Sequence, residues 1–233
     1  MSSMPYREEK LHLPQAILFD MDGTLIDSEP FWQAAEYEVV ESGGGIWTHE
    51  QALTLVGFDL MDAAHVLIAA GAPGSPEDVV AFLVERVSTQ LRREVPWREH
   101  AAETLAWVRA LGIPCALVTS SYGPVAHAFA DTAAPGTFEV VVSGDVVERG
   151  KPHPDPYLQA ARALGVDATQ CIAVEDSRTG ITAALASGAR TIGIEAITPV
   201  ESAPGLSRIK SLDQLTPFVL DVVMRGGLVD FNS

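Results

Sequence analysis

Ala16-Ile-Leu-Phe-Asp20-Met-Asp22-Gly23-Thr24-Leu-Ile-Asp27 is the stretch that decides the fold of this chain. Apolar residues lead directly into two aspartates one residue apart, which is typical of a buried parallel strand that ends in carboxylates. Alternate strand residues point the same way, so Asp20 and Asp22 are expected to face one ligand at the carboxyl edge of a sheet. A plain turn after a strand is the alternative, because Asp and Gly are common in turns.

The composition is that of an acidic globular protein. The chain has 233 residues, of which 47% are hydrophobic, and a formal net charge of −16. That length suits one large or two small domains with a real core. Because of this negative charge and because the only lysines are Lys10, Lys151 and Lys210, nucleic-acid binding through a basic patch is disfavoured, and no nucleic-acid partner is expected.

Neither export nor membrane binding is predicted. Residues 7–10 are all charged, so the beginning of the chain lacks the continuous apolar region of a secretory signal. No stretch reaches the roughly 18 to 20 apolar residues that span a bilayer. Cys115 and Cys171 each begin an apolar strand-like run, where a free cysteine behaves as a small hydrophobe. We therefore expect a cytoplasmic monomer with two buried thiols, a disulfide being the alternative.

A helical segment is predicted after the first strand. Glu29 to about Gly43 has apolar residues at helical spacing and ends at three glycines. Two more helices are expected, over about Asp59 to Ala70 and about Pro76 to Arg93, with Ser75 as the cap of the second. No strand pattern occurs here, which indicates an inserted all-helical subdomain. The apolar side of the first helix is predicted to comprise Phe31, Ala34, Ala35, Val39 and Val40.

Beyond the insert, helices alternate with short apolar strands, which predicts an α/β fold with a doubly wound, parallel, Rossmann-like sheet covered on both faces. We assign residues 1–26 and 97–233 to this core domain and residues 27–96 to the inserted domain. The expected strands are Ile113–Val118, Phe138–Val142, Cys171–Val174 and, as the last core strand, Thr191–Ile194. The expected helices are about Glu99–Leu111, Val125–Asp131, Asp155–Leu164, Thr179–Ser187 and Leu212–Met224.

Four strand ends carry polar residues that this topology would bring to one edge of the sheet. They are Asp20 with Asp22, Thr119 with Ser120, Lys151 in the loop after the third strand, and Glu175 with Asp176. Carboxylates from two strands repel each other unless a divalent cation lies between them, and oxygen-only ligands suit Mg²⁺. A phosphate would complete the site, bound by the Thr119 hydroxyl, the Ser120 backbone amide at a helix start and the Lys151 ammonium.

Each of these elements also has a simpler interpretation. Thr119-Ser120-Ser121 would suit an ordinary helix N-cap, and Lys151 a solvated loop. Glu175 and Asp176 would suit a helix start, where negative charge is favourable. The conjunction of all four strand ends favours a common site over four separate coincidences.

The motifs Asp20-x-Asp22-Gly-Thr, Thr119-Ser120, Lys151-Pro-x-Pro and Glu175-Asp176-Ser together resemble those of the haloacid dehalogenase (HAD) superfamily, from about Ala16 to Ile194. The helical insert resembles the cap of the β-phosphoglucomutase-like and sugar-phosphatase-like members. The resemblance implies a Mg²⁺-dependent phosphatase, a phosphoric monoester hydrolase whose substrate is a small phosphorylated molecule such as a sugar phosphate.

The same resemblance implies the roles of the site residues. Asp20 would be the nucleophile that forms an aspartyl-phosphate, and Asp22 the general acid and base. The catalytic residues would be Asp20, Asp22, Thr119 and Lys151, and the phosphate-binding residues Gly23, Thr119, Ser120 and Lys151. Mg²⁺ would be held by Asp20, the backbone carbonyl of Asp22 and Asp176, with Glu175 as direct or water-mediated support.

Other activities of the superfamily are less favoured. Dehalogenases lack an Asp at the position of Asp22, and phosphonatases use a cap lysine, whereas residues 27–97 contain none. A phosphomutase of the β-phosphoglucomutase type would have a cap His, Arg and Lys where this chain has Trp32, Val56 and Leu60. A non-catalytic phosphate-binding relative would normally show a broken motif, and none is broken.

The leaving group of the substrate is expected to meet the insert. Phe58, Asp59 and Leu60 are candidates for contacting it, with Asp59 accepting hydrogen bonds from sugar hydroxyls. A core or surface role for these three residues is the alternative. Cap closure about hinges near Asp27 and Pro96 is a further hypothesis, based on the two points where the chain crosses between the core and the insert.

Overall fold

A computed structural model of the protein describes residues 10–196 and 199–231. Its strands are β1 (Ala16–Phe19), β2 (Cys115–Val118), β3 (Val140–Val142), β4 (Cys171–Glu175), β5 (Arg190–Ile194) and β6 (Leu206–Ile209). All pair in parallel, in the order β3-β2-β1-β4-β5-β6. The predicted doubly wound parallel sheet is therefore confirmed.

The described residues form nine α-helices, of which the last five lie on the two faces of this sheet. They are α1 (Glu29–Ser42), α2 (His49–Thr54), α3 (Leu60–Ala69), α4 (Pro76–Arg93), α5 (Ala101–Ala110), α6 (Gly123–Ala130), α7 (Asp155–Ala163), α8 (Arg178–Ala186) and α9 (Pro217–Met224). Ile17 and Phe19 belong to a core with side chains of α5, α6 and α9, whereas Ala16 and Leu18 pack with side chains of α7 and α8. This alternation follows from the two-residue period of the central strand.

The helices α1 to α4 form an insert between β1 and α5, and we call them the helical insert. The two chain crossings lie side by side, since the amide of Asp27 donates to the carbonyl of Pro96 at 2.9 Å and that of Arg98 to the carbonyl of Leu25 at 2.9 Å. The first helix buries Ala35, Val39 and Val40 as expected, but Ala34 is exposed. The helix α2 was not anticipated.

Local sequence explains where several elements begin. Ser75 and Asp78 form a reciprocal capping box at α4, as the sequence indicated for Ser75. Thr48 and Gln51 form the same box at α2, a signal that would have revealed this helix. Burial of apolar surface on the sheet then fixes the core helices in place.

The carboxyl-terminal part of the chain differs from expectation. The prediction that Thr191–Ile194 contains the last core strand is wrong, because β6 continues the sheet beyond it. The predicted terminal helix is shorter, with a 3₁₀ turn over Leu212–Gln214 before α9. Cys115 and Cys171 are both buried and free, on strands that flank β1.

Within the part of the chain that the structure describes, no helix is long and apolar enough to cross a membrane. The first nine residues, on which part of the expectation about a secretory signal depended, lie outside the described residues.

Candidate active site

The site lies at the carboxyl ends of the three central strands, β2, β1 and β4. Phe19, the last residue of β1, pairs with Leu117 on one side and Val174 on the other. The amide of Asp20 donates to the carbonyl of Val174 at 3.0 Å, so the chain is still held in the sheet where the carboxylate begins. The backbone thus fixes Asp20 between the ends of two neighbouring strands.

Lys151 connects Asp20 to Glu175. Its ammonium donates to Asp20 Oδ1 at 2.6 Å, to Glu175 Oε1 at 2.5 Å and to the Val118 carbonyl at 2.9 Å. An ammonium has three donors, and all three are used. The side chain is 3% exposed, so the interpretation of Lys151 as a solvated loop residue is wrong.

Burial and charge act in opposite directions on these groups. Burial works against the charged form of Lys151, but Asp20 and Glu175 outweigh it and raise the pKa of the ammonium. Burial, followed by the nearby Glu175, raises the pKa of Asp20, although Lys151 opposes this shift. The ammonium therefore stays charged and holds two carboxylates that would otherwise repel each other.

Glu175 is held at both oxygens. Besides Lys151, Oε1 accepts a hydrogen bond of 2.5 Å from the buried Tyr157 hydroxyl, and Oε2 accepts one of 3.1 Å from Ser177. A Cβ atom on Gly180 would lie 1.9 Å from Oε1, so only glycine leaves room for this carboxylate beside α8. The arrangement makes Glu175 the anchor of Lys151.

Three hydroxyl groups fix the orientation of the Asp22 carboxylate. Thr119 and Ser121 donate to Oδ2 at 3.1 and 2.8 Å, and Ser28 donates to Oδ1. These donors come from two separate loops, one after β2 and one at the start of α1. Asp22 is therefore aimed into the same cavity as Asp20 by contacts that do not involve Lys151.

The site fits a hard divalent cation. Asp20, Glu175 and Asp176 each place a carboxylate oxygen within 4.8 Å of the others. Asp20 Oδ2 is buried and accepts no hydrogen bond from the described residues. Burial, with the charge of Glu175, raises the pKa of Asp176 to about 7, which shows how unfavourable another negative charge is here. Carboxylate oxygens that repel each other in this way suit Mg²⁺.

Gly23 brings the backbone close to Asp176. Its φ of +87° lies in the left-handed region, and a Cβ there would lie 2.1 Å from Asp176 Oδ2. Thr24 donates to the other oxygen, Oδ1, at 3.2 Å. Gly23 and Thr24, which directly follow Asp22, therefore position the carboxylate of Asp176.

A cavity of about 200 Å³ opens above these residues. Its floor contains the predicted phosphate-binding residues Gly23, Thr119, Ser120 and Lys151, together with Asp20, Asp22 and Asp176. The helical insert supplies the opposite wall, which includes Trp32, Glu36, Val56, Phe58 and Leu60. The residues predicted at the site are thus brought together, and Trp32, Val56 and Leu60 of the helical insert lie beside them.

Some sequence expectations need correction. The helix after Ser121 begins only at Gly123, without a side-chain cap, so Thr119-Ser120-Ser121 is not an N-cap, and the Ser120 amide is not at the start of a helix. Asp59 caps α3, accepting from the Met61 amide at 2.8 Å, and does not line the cavity. Phe58 and Leu60 do line it.

Other residues of the site were missed from the sequence. They are Ser28 and Ser121, which hold Asp22; Tyr157, which holds Glu175; and Glu29 and Glu36 in the cavity wall. Ser121 follows a recognised motif directly and could have been found. Tyr157 could not, because only the packing of α7 against the sheet brings its hydroxyl to Glu175.

Comparison with protein families gives a match to haloacid dehalogenase-like hydrolases over residues 17–194. Among curated proteins, hexitol phosphatase A of Escherichia coli is 32% identical over 212 residues, covering 87% of this chain and 93% of that protein. Phosphoglycolate phosphatase of E. coli is 32% identical over 206 residues, covering 77% of this chain and 81% of that protein.

Among solved structures, CbbY from Rhodobacter sphaeroides in complex with phosphate is similar, with a TM-score of 0.78 and 28% identity, covering 87% of this chain and 96% of that chain. A mutant of the same protein in complex with xylulose-(1,5)bisphosphate gives the same TM-score at 27% identity, with the same coverage of 87% and 96%. The similarity extends over both the sheet and the helical insert.

Proposed function

The chain belongs to the haloacid dehalogenase-like hydrolase family, and we propose that it is a Mg²⁺-dependent phosphatase that hydrolyses a small phosphate monoester, a sugar phosphate, through an aspartyl-phosphate. The observation that carries the proposal is the pairing of two differently held aspartates in one cavity. Asp20 is fixed by Lys151, whereas the side-chain donors to Asp22 among the described residues are all hydroxyl groups. One aspartate is therefore suited to attack and the other to move protons.

In the first step, a carboxylate oxygen of Asp20 attacks phosphorus in line with the ester oxygen. The bond between phosphorus and the ester oxygen breaks, and Asp22 gives its proton to that oxygen so that the leaving group departs as an alcohol. In the second step, Asp22 takes a proton from the water that attacks phosphorus. The bond to Asp20 breaks, inorganic phosphate is released, and Asp22 is protonated again.

The metal would be held by Asp20, Asp176 and the backbone carbonyl of Asp22, the last carried over from the family resemblance. When bound, Mg²⁺ supplies electrostatic stabilisation of the phosphoryl oxygens. Glu175 would support the metal ligands without direct coordination, because both of its oxygens already accept hydrogen bonds from protein groups. Lys151 keeps the two carboxylates of Asp20 and Glu175 together while contributing positive charge beside the phosphate.

The helices of the insert would act as the cap that covers the substrate, with residues 27–96 as a separate domain. A phosphatase is favoured over a phosphomutase because the cavity wall has Trp32, Val56 and Leu60 where a mutase would need cations for a second phosphate. The similar curated proteins named above are phosphatases.

The test is hydrolysis of p-nitrophenyl phosphate by wild type, Asp20→Asn and the matched control Asp62→Asn, which alters an exposed aspartate of α3. We expect turnover by wild type and the control, dependence on added Mg²⁺ after chelation, and loss of turnover in Asp20→Asn. Unchanged turnover in Asp20→Asn would refute the assignment of the nucleophile. Full activity after chelation would refute the proposed requirement for Mg²⁺.

A further inference from the structure

The cavity wall formed by the helical insert is acidic and aromatic, and it faces the place where the leaving group of a phosphate ester would lie. Glu29, Trp32 and Glu36 line the cavity from one face of α1, because residues three and four positions apart share a face of a helix. Phe58 lines it from the loop before α3. Among the described residues that line the cavity, floor and wall together, Lys151 is the only lysine or arginine, and it is already bound to Asp20 and Glu175.

Glu36 is the unusual member of this wall. It is only 6% exposed, and its Oε2 accepts a hydrogen bond of 3.2 Å from the indole of the buried Trp47. No other hydrogen bond to its carboxylate occurs among the described residues, so Oε1 remains available to a ligand in the cavity. Burial, with the charge of Glu29 adding to it, raises the pKa of Glu36 to about 7.

A buried carboxylate is unfavourable for folding, and such groups concentrate at functional sites. Nothing in the insert offers Glu36 an ion pair within the described residues, so it does not serve as a structural counter-ion. Its indole partner fixes one oxygen and directs the carboxylate, which is how a ligand-binding carboxylate is positioned. Near neutral pH the group can both accept a hydrogen bond and, when protonated, donate one.

The same wall disfavours a leaving group that carries negative charge. A carboxylate or a second phosphate would lie beside Glu29 and Glu36 without a free cation to neutralise it, and like charges at close range are unfavourable. The rings of Trp32 and Phe58 instead suit the apolar C–H face of a sugar or alditol.

We propose that this enzyme is specific for phosphate esters of uncharged polyhydroxylated alcohols, and that Glu36 is a specificity-determining residue that hydrogen-bonds a hydroxyl of the leaving group. The inference rests on the proposed phosphatase function and names its substrate class. Glu36 acts on the far end of the substrate, away from the phosphorus that Asp20 attacks. Its removal should therefore affect substrates according to their leaving groups.

The first experiment compares kcat/KM of the wild-type enzyme with Mg²⁺ on sorbitol 6-phosphate, glucosamine 6-phosphate, 2-phosphoglycolate and p-nitrophenyl phosphate. We expect sorbitol 6-phosphate to exceed 2-phosphoglycolate by at least about 10-fold, since a site built for hydroxyl groups discriminates strongly against other chemistry. A preference for 2-phosphoglycolate would overturn the inference while leaving the phosphatase function intact. Absence of hydrolysis of every ester, p-nitrophenyl phosphate included, would refute the phosphatase function itself.

The second experiment uses Glu36→Leu, Glu36→Gln and the control Glu41→Leu, which alters an exposed position of the same helix. For sorbitol 6-phosphate, we expect kcat/KM to fall about 10- to 100-fold in Glu36→Leu, mainly through KM, and clearly less in Glu36→Gln, because an amide still bonds a hydroxyl. The loss on p-nitrophenyl phosphate, which has no hydroxyl on its leaving group, should be smaller. Equal losses on both substrates would refute the proposed contact.

Two outcomes separate the hydroxyl from an ammonium as the partner of Glu36. If glucosamine 6-phosphate is the best substrate and Glu36→Gln is as impaired on it as Glu36→Leu, the carboxylate pairs with a cation and the inference is overturned. If kcat/KM on sorbitol 6-phosphate is clearly higher for Glu36→Gln than for Glu36→Leu, the inference of a hydroxyl partner is supported.

Val56→Arg provides a test that does not depend on substituting a buried residue, because Val56 lines the cavity but is 39% exposed. A cation at this position should shift the kcat/KM ratio toward 2-phosphoglycolate by about 10-fold, since it would neutralise the negative charge of that leaving group. An unchanged ratio would contradict the claim that the missing cation sets the specificity.

Discussion

Replacing Glu36 by Gln should stabilise the protein at alkaline pH and not at acid pH. The folded protein holds the pKa of Glu36 near 7, against 4.5 for the free side chain, chiefly through burial. Each unit of pKa difference corresponds to about 1.4 kcal/mol, so ionising Glu36 in the folded state costs at most about 3.5 kcal/mol. Gln keeps an oxygen that can accept from Trp47 but carries no charge.

The sign follows from proton linkage. Between about pH 4.5 and 7 the folded state binds more protons at Glu36 than the unfolded state, so the contribution of this residue to stability is complete below that window and is lost as pH rises through it. The free energy of unfolding of Glu36→Gln, relative to wild type, should therefore rise across this window by up to about 3.5 kcal/mol and stay constant above it.

The assay is urea unfolding of wild type, Glu36→Gln and the exposed control Glu41→Gln at several pH values from 4 to 9, with midpoints and m values compared. Taking differences between variants removes the titration of shared groups that do not interact with Glu36, such as Asp20 and Asp176, and leaves that of Glu36 with its neighbour Glu29. A difference between Glu36→Gln and wild type that does not change with pH, or that falls as pH rises, would refute the burial of an ionisable carboxylate in the cavity wall.

Further predictions concern the floor of the cavity and the residues that support it. Asp22→Asn should lower kcat by about 10²- to 10⁴-fold, with a larger loss for alkyl phosphates than for p-nitrophenyl phosphate, whose leaving group needs no proton; equal losses would argue against Asp22 as the acid. Gly180→Ala should reduce activity because the new Cβ would collide with the Glu175 carboxylate, whereas Gly150→Ala, whose Cβ meets nothing within 4 Å, serves as control. Tyr157→Phe removes a hydrogen bond to a buried carboxylate and should lower the free energy of unfolding by about 1.5 to 3 kcal/mol; an unchanged urea midpoint would contradict that bond.

The sheet and the floor of the site could be predicted because both depend on local sequence. The apolar run that ends in Asp20 marks a buried strand, and the regular alternation beyond Trp97 places the other strand ends at the same edge. The strand β6 escaped prediction because Leu206–Ile209 contains Ser207 and Arg208, which break the apolar pattern of a central strand. An edge strand tolerates such residues, since only one side of it pairs with the sheet.

The cavity wall was harder to predict because helical periodicity identifies the apolar side of α1 without saying what that side faces. Glu36 lies among the apolar positions of the helix, where a charged residue contradicts the pattern and indicates a special environment. Its partner Trp47 follows the three glycines that end α1, so the contact depends on how the chain turns back. Sequence could identify Asp20 and Asp22, the pair proposed to act on phosphorus, because that chemistry needs a fixed spacing at the end of one strand. The proposed leaving group would meet side chains from separate helices and loops, and these side chains form one wall only when the chain is folded.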